Sequence, residues 1–343
     1  MMYLGVAGMV CSVGFNAAAA CAAIRAGVAN FDPLPYWDRK NSRVIGAAVP
    51  GLGQDFQFGS RLTELLALAV DDCLGKGFTA TPDKIPLLVG LAEPERPGGG
   101  GWGVQGVIAQ VQKRLGIKFH PSLSAVIPKG HTAAFEALRG AREIMESTDV
   151  PGCLVCGVDS YINASSLFWL DQHWRLKRDG HTDGTIPGEA AAVIYVQRDR
   201  PSKAETIGQV IGLGFGNEKA SVLSDEPLQG RGLAEAGRKA LGEAGLGFHE
   251  FDFRISDVTG ENYGFREHAL TIARLARVVR SESQPLWHVA DSIGDTGAAA
   301  GVIQLVMAAA AWAKGYAPGR HVACFTSSVL GARAVAALQS SAA

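Results

Sequence analysis

Gly294-Asp295-Thr296-Gly297-Ala298-Ala299-Ala300-Gly301 leads a strand-like segment, Pro285–Ala290, into a helix of small residues that runs to Ala313. Earlier in the chain, Pro128-Lys129-Gly130-His131 does the same, joining the strand-like Ser124–Ile127 to a helix that ends near Glu146. Helices with Ala or Gly on most faces let neighbours approach closely and can be covered all round. One such helix in each half of the chain predicts a pair of buried helices at the centre of a layered protein. A helix N-terminus opening into a cleft also favours an anion or a thiolate there.

Outward from these two points, strands and helices alternate. Met2–Val10 is an apolar run closed by Ser12 and Gly14, and a small-residue helix follows to Gly27. Phe31–Pro50 carries Pro33, Pro35 and Pro50 and is expected to be irregular. Behind a Ser60 cap, Arg61–Leu74 places its apolar positions on one helical face. Ile85–Leu91 reads as a strand buried on both faces, and Val104–Leu115 as a helix ended by Gly116. Cys153–Gly157 and Ala190–Val196 read as strands around a long irregular region, Tyr161–Gly188.

The second half repeats this grammar: strands at Thr206–Gly214, Phe251–Asp257, 321–325 and 333–338, helices at Leu233–Ala244 and Phe265–Val278. Strands separated by helices mean α/β layering. The polar stretch Arg198–Ala204 marks the boundary, giving an N-terminal half, 1–200, and a C-terminal half, 201–343.

Composition narrows the function classes. Of 343 residues 47% are hydrophobic, enough for a large core, and 32 Lys+Arg against 33 Asp+Glu leave a net charge of −1. With no basic run, nucleic acid is not an expected partner. Asn16–Ile24 is the most signal-like segment, but no Lys or Arg precedes it, and Gln304 interrupts the most apolar helix. A cytoplasmic protein with no membrane partner is expected. The six cysteines lie inside apolar segments, as buried thiols do in a reducing compartment. Cys153-Leu154-Val155-Cys156 has metal or redox spacing but falls in a strand, where residues three apart face opposite ways. Neither a metal site nor a cofactor is expected.

The motifs, taken in order, resemble the thiolase superfamily and most closely its β-ketoacyl-acyl-carrier-protein synthases. Gly5-Val6-Ala7-Gly8-Met9-Val10-Cys11-Ser12-Val13-Gly14 is similar to their first strand and turn, and Gly157-Val158-Asp159-Ser160 to the end of a core strand. Arg178-Asp179-Gly180 and Pro187-Gly188-Glu189-Ala190-Ala191-Ala192-Val193 are similar to their Asp-Gly and Gly-Glu-Gly-Ala segment. Ile211-Gly212-Leu213-Gly214 and the helix from Leu233 match the start of their second half, and Gly294–Gly301 resembles their Gly-His-x-x-Gly-Ala-Ala-Gly. The resemblance implies an αβαβα layered sandwich of two similar halves, and a homodimer.

The resemblance also implies where a site would be, and that it is degenerate. The family's nucleophilic Cys falls at His131, or at Lys129 or Gly130 with a short insertion. Its first His falls at Thr259 in Val258-Thr259-Gly260-Glu261-Asn262, its second at Asp295, and its Lys near Asp291. Condensation needs a thiolate to accept the acyl group and two N–H donors for the developing oxyanion. Asp295 brings negative charge where negative charge must form. The expected function is therefore binding, as an adaptor, with type VI secretion effector loading as the group the chain resembles. The partner would be another protein, and acyl-carrier protein or acyl-CoA would be partners only of a surviving acyl transfer. The alternatives are an acyltransferase or synthase rebuilt on His131, Lys129, Glu261 and Asp295, and the silent subunit of a ketosynthase pair.

Three outlying features complete the reading. His173, Trp174, Arg175, Lys177 and Arg178 are expected to be a solvated excursion with one packed Trp, the alternative being a binding surface. Glu93–Gly103, tipped by Trp102, is a loop that reads equally as a lid, a partner contact or a plain connection. Cys324–Gly331 departs from the family's Gly-Phe-Gly-Gly gate.

Overall fold

Apolar runs too continuous to be one-sided end up inside a sheet covered on both faces. The computed structural model describes residues 2–52, 58–75, 77–99, 106–199 and 207–341. In chain order the first half contributes β1 (Met2–Cys11), α1 (Ala17–Arg25), β2 (Asp32–Trp37), β3 (Arg43–Gly46), α2 (Phe58–Leu74), β4 (Leu87–Leu91), α3 (Gly106–Leu115), β5 (Ala125–Pro128), α4 (Ala133–Ser147), β6 (Gly152–Ser160), α5 (Ala164–Gln172) and β7 (Glu189–Gln197). The second contributes β8 (Gly208–Asn217), α6 (Arg231–Ala244), β9 (Phe253–Ser256), α7 (Asn262–Leu275), β10 (Leu286–His288), α8 (Ala290–Ile293), α9 (Ala300–Ala313), β11 (His321–Ser327) and β12 (Ala332–Ser340).

Ten of these strands form one sheet in the order β10-β9-β11-β12-β8-β1-β7-β6-β4-β5. Counting sheet strands within each half, both halves read first, fifth, fourth, second, third outward from the centre. The directions match too: two antiparallel pairings, then two parallel ones, on each side. The halves meet where β1 pairs antiparallel with β8, Met2–Leu4 against Gly208–Val210. The 200/201 boundary itself lies outside the described residues.

Five layers result. Helices α4 and α9 occupy the middle one, in a shared core with residues of both half-sheets, such as Phe135, Ile303, Ile194 and Ala336. Outer layers are α2 and α3 on the first half and α6 with α7 on the second. The alternate glycines Gly212, Gly214 and Gly216 let β8 lie directly against α6. A Cβ at those positions would stand 1.9–2.2 Å from the carbonyls of Ala240, Ala236 and Gly232. The predicted αβαβα sandwich of two similar halves is the observed fold.

Both central helices start where expected, each through a 3₁₀ turn, Gly130–Thr132 before α4 and Gly297–Ala299 before α9. The two starts touch: a Cβ at Gly301 would sit 2.7 Å from Ala134 Cβ. Two expectations are corrected. Phe31–Pro50 is not irregular but contains the β2–β3 hairpin, whose prolines occupy exposed positions, where a missing N–H costs nothing. Tyr161–Gly188 contains α5, started by Asn163, whose side chain accepts the Ser166 N–H. Val104, the Trp102 tip and Thr206 lie outside the described residues. Cys153 and Cys156 are both buried in β6. Among the described residues no helix is long and apolar enough to cross a membrane.

Candidate functional site

Each central helix is entered through a glycine with a left-handed backbone, Gly130 at φ 53° and Gly297 at φ 51°. The missing Cβ matters as much as the φ. A Cβ on Gly130 would meet the Glu93 carboxyl at 2.1 Å, and one on Gly297 would meet Asp159 Oδ2 at 2.0 Å. Buried carboxylates therefore sit directly behind both turns. Asp159 is paired with Arg96 and accepts the Ser160 and Ala298 N–H groups at 2.8 and 2.9 Å. Glu93 accepts from the Ser328 hydroxyl.

His131 follows Gly130 and is buried. Asp295 arrives from the other turn, with its own N–H donated to the Ile186 carbonyl at 2.8 Å. His131 Nε2 donates to Asp295 Oδ1 at 2.9 Å, and the Gly297 N–H donates to the same oxygen at 2.9 Å. The two helix starts are thus bridged by one ion pair. Burial alone would strip the proton from His131. Asp295, helped by Asp257 and Glu93, outweighs it and lifts the pKa to about 9, so His131 is an imidazolium at neutral pH. Burial works against the Asp295 charge as well, but His131, the Gly297 N–H and Arg175 hold its carboxyl below the usual range. Asp257, on the pocket wall, is pushed up to about 6 by burial, against the pull of His131.

Glu261 and Thr259 line the same pocket. Arg175 grips Glu261 through two bonds of 2.7 Å, and the Thr259 hydroxyl donates to Glu261 at 3.3 Å. Ser327, Ser328 and Val329, from the segment matched to the family's gate, close the side. What remains open is about 50 Å³, room for a few waters. Four of the five expected residues, His131, Thr259, Glu261 and Asp295, are therefore together. Lys129 is not with them: its side chain is exposed, and its carbonyl accepts from the Thr132 hydroxyl at 2.9 Å. Asp291 is also exposed, 3.6 Å from His288.

The expected solvated excursion is corrected here. Arg175 is buried in the site wall, Arg178 is ion-paired to Asp171 at 2.6 Å, and Trp174 is 53% exposed rather than packed. Sequence reasoning also missed Glu93 and Asp257. Both lie just beyond the C-terminal ends of parallel strands, Asp257 directly after β9 and Glu93 one residue further on from β4, where open α/β sheets build their sites, but a single acid there is too weak a local signal to single them out.

Chemically this pocket is an ion-pair cluster without a thiol. None of the six cysteines lines it; all are buried elsewhere, and burial pushes the Cys11 and Cys153 thiols up to about 12. His131 Nε2 is committed to Asp295, whose charge favours the protonated imidazole, a form that is neither base nor nucleophile. Among the described residues no group of His, Cys, Asp and Glu is arranged to hold a metal ion.

No family model matches the chain, and no curated protein does. Solved structures do. The oxazolomycin ketosynthase domain of Streptomyces albus JA3453 superposes with a TM-score of 0.80 at 16% identity, over 99% of this chain and 75% of that one. A ketosynthase from module 6 of the bacillaene synthase of Bacillus subtilis 168 gives 0.76 at 13%, over 98% and 72%. A ketosynthase in complex with its chain length factor from Xenorhabdus doucetiae gives 0.75 at 14%, over 99% and 98%. The ishigamide ketosynthase/chain length factor gives 0.73 at 20%, over 99% of both chains. At such identities the likeness establishes the ketosynthase-type fold.

Proposed function

We propose that the chain is a non-condensing member of this fold that works by binding another protein. The observation that carries it is a buried histidine, His131, where the resemblance puts the nucleophile, hydrogen-bonded to Asp295 in a pocket of about 50 Å³. An acyl thioester has neither a thiol to join nor space to enter. Within this reading the resemblance noted from the sequence supports an adaptor role in effector loading by type VI secretion, and a homodimer. A second reading, the silent subunit of a ketosynthase pair, is supported by the likeness to the ishigamide ketosynthase/chain length factor and to the Xenorhabdus doucetiae ketosynthase in complex with its chain length factor, over 98–99% of their length. The test is incubation with acyl-CoA and with acylated carrier protein, followed by intact and peptide mass spectrometry. No adduct is expected. A stoichiometric acyl group on His131 or on any cysteine overturns the reading. Stable co-elution with a cysteine-bearing ketosynthase, against co-elution with a secretion effector, separates the two kinds of partner.

A further inference from the structure

Three aromatic side chains that a monomer would normally bury lie on one surface. Trp37 on the β2–β3 hairpin is 61% exposed, Phe168 on α5 is 67% exposed, and Trp174 follows α5. Between hairpin and helix runs a groove of about 460 Å³ whose apolar lining is Tyr36, Trp37, Val44, Leu167, Phe168 and Leu176. Ile45, on the hairpin, adds a further exposed apolar side chain. Such clustering marks an interaction site rather than scattered surface hydrophobics.

The surface is also held in place. Trp174 has a left-handed backbone, φ 56°, unusual for a bulky residue and tolerated only where neighbours enforce it. Its ring lies under two guanidiniums, Arg39 at 4.6 Å and Arg178 at 5.0 Å, and its carbonyl accepts from His181 at 2.7 Å. Charge then separates the possible occupants. The groove's two acids, Asp38 and Asp171, are buried and consumed. Arg178 and the Lys40 and Ser42 N–H groups engage Asp38; Arg178, Arg39 and the Arg39 N–H engage Asp171. The charges the hairpin turns to solvent are Arg39, Lys40 and Arg43 around its turn, the last stacked over Trp37 at 5.5 Å, against one acid, Asp32, at the start of β2, so the turn end is cationic.

We infer that this groove docks an acidic segment of a partner protein, with apolar side chains seated between Trp37 and Phe168 and carboxylates facing Lys40 and Arg43. The inference rests on the binding-protein reading and specifies its partner. Aromatic anchors with a charged rim are the arrangement in which a few residues carry most of the affinity and the rim sets salt dependence.

The experiment uses the full chain and fluorescein-labelled 18-residue peptides, one of Glu, Leu and Phe, one with Lys for every Glu, one with Ser for every Leu and Phe. Anisotropy is expected to show binding of the first alone, weakened as salt rises. Phe168→Ser and the pair Lys40→Glu with Arg43→Glu should each weaken it about tenfold, the loss typical of one anchor, with melting temperature unchanged. Equal binding to wild type and Phe168→Ser, or binding of the Lys peptide, overturns the inference. So does a concentration-dependent dimer that Phe168→Ser dissolves, which would assign the groove to a second copy. An acyl adduct alongside intact peptide binding refutes only the non-condensing reading; no adduct and no peptide binding refutes only the groove.

Discussion

His131→Ala should expose how the central ion pair depends on its proton. The substitution leaves Asp295, Asp257 and Glu93 facing one another without their shared cation. Breaking a buried pair by removing one partner costs about 3–5 kcal/mol. A chain of 343 residues unfolds with an entropy of about 0.7 kcal/mol/K at typical per-residue values, so the melting temperature should fall by about 4–7 °C at pH 6.5. The pH dependence is the sharper test. His131 is raised from 6.5 to about 9 on folding, so its contribution is complete below pH 6.5 and is lost as pH rises through 9. That linkage amounts to about 3 kcal/mol. Asp257, raised from 3.8 to about 6, stabilises the protonated fold, a contribution lost as pH climbs through 6; without His131 it should titrate higher still. Melts of wild type and variant from pH 6.5 to 9.5 should therefore converge, by less than the full linkage because the displaced Asp257 titration of the variant opposes it, while groups remote from His131 cancel in the difference. A gap that stays constant refutes a charged His131. If the alanine variant does not fold, His131→Gln, which keeps a donor for Asp295 but no charge, should show the same loss of slope.

Gly130→Ala forces a side chain into a left-handed turn, about 1–2 kcal/mol by itself, and against the Glu93 carboxyl; urea midpoints should fall clearly. Arg333→Met strands buried Glu267, whose bond to Arg333 Nε is 2.7 Å, and should cost about 3–5 kcal/mol in chemical denaturation. Adding Glu267→Gln should recover most of it. Asp295→His restores one residue of the family pattern but removes the carboxylate of His131; assayed with malonyl and acyl carrier proteins it should show no condensation, and calorimetry a lower melting temperature.

The helix starts beside His131 and Asp295 were legible because glycine marks both strand-to-helix turns and the strings of Ala and Gly fix where the helices begin; the resemblance implied the place of these two residues in a site. Glu261 and Thr259 were legible only through the order of motifs; no local pattern points to them. Arg175 was not, since a run of His, Trp, Arg and Lys has no periodicity to say which members turn inward. Nor were Glu93 and Asp257, because one acid after an apolar strand looks like the start of any loop. Lys129 was placed by counting, but the left-handed Gly130 redirects the chain, and Lys129 is left outside. The hairpin hid behind its prolines, which forbid a central strand but not an edge ribbon.

The sheet order carries a cost in time. Strand β1 lies at the centre, between β7 and β8, and its register partners are residues 190–197 and 208–210. A ribosome adding about 5–20 residues per second needs about 10–40 s to travel from the end of β1 to the first of them. Throughout that interval a ten-residue apolar segment, Met2–Cys11, has no neighbour on either edge. It is a nascent strand awaiting its mates, open to mispairing and to chaperone capture. Slowing translation beyond Pro151 lengthens that exposure, so yield of folded protein should track the pace of the ribosome through the middle of the message more than through its end.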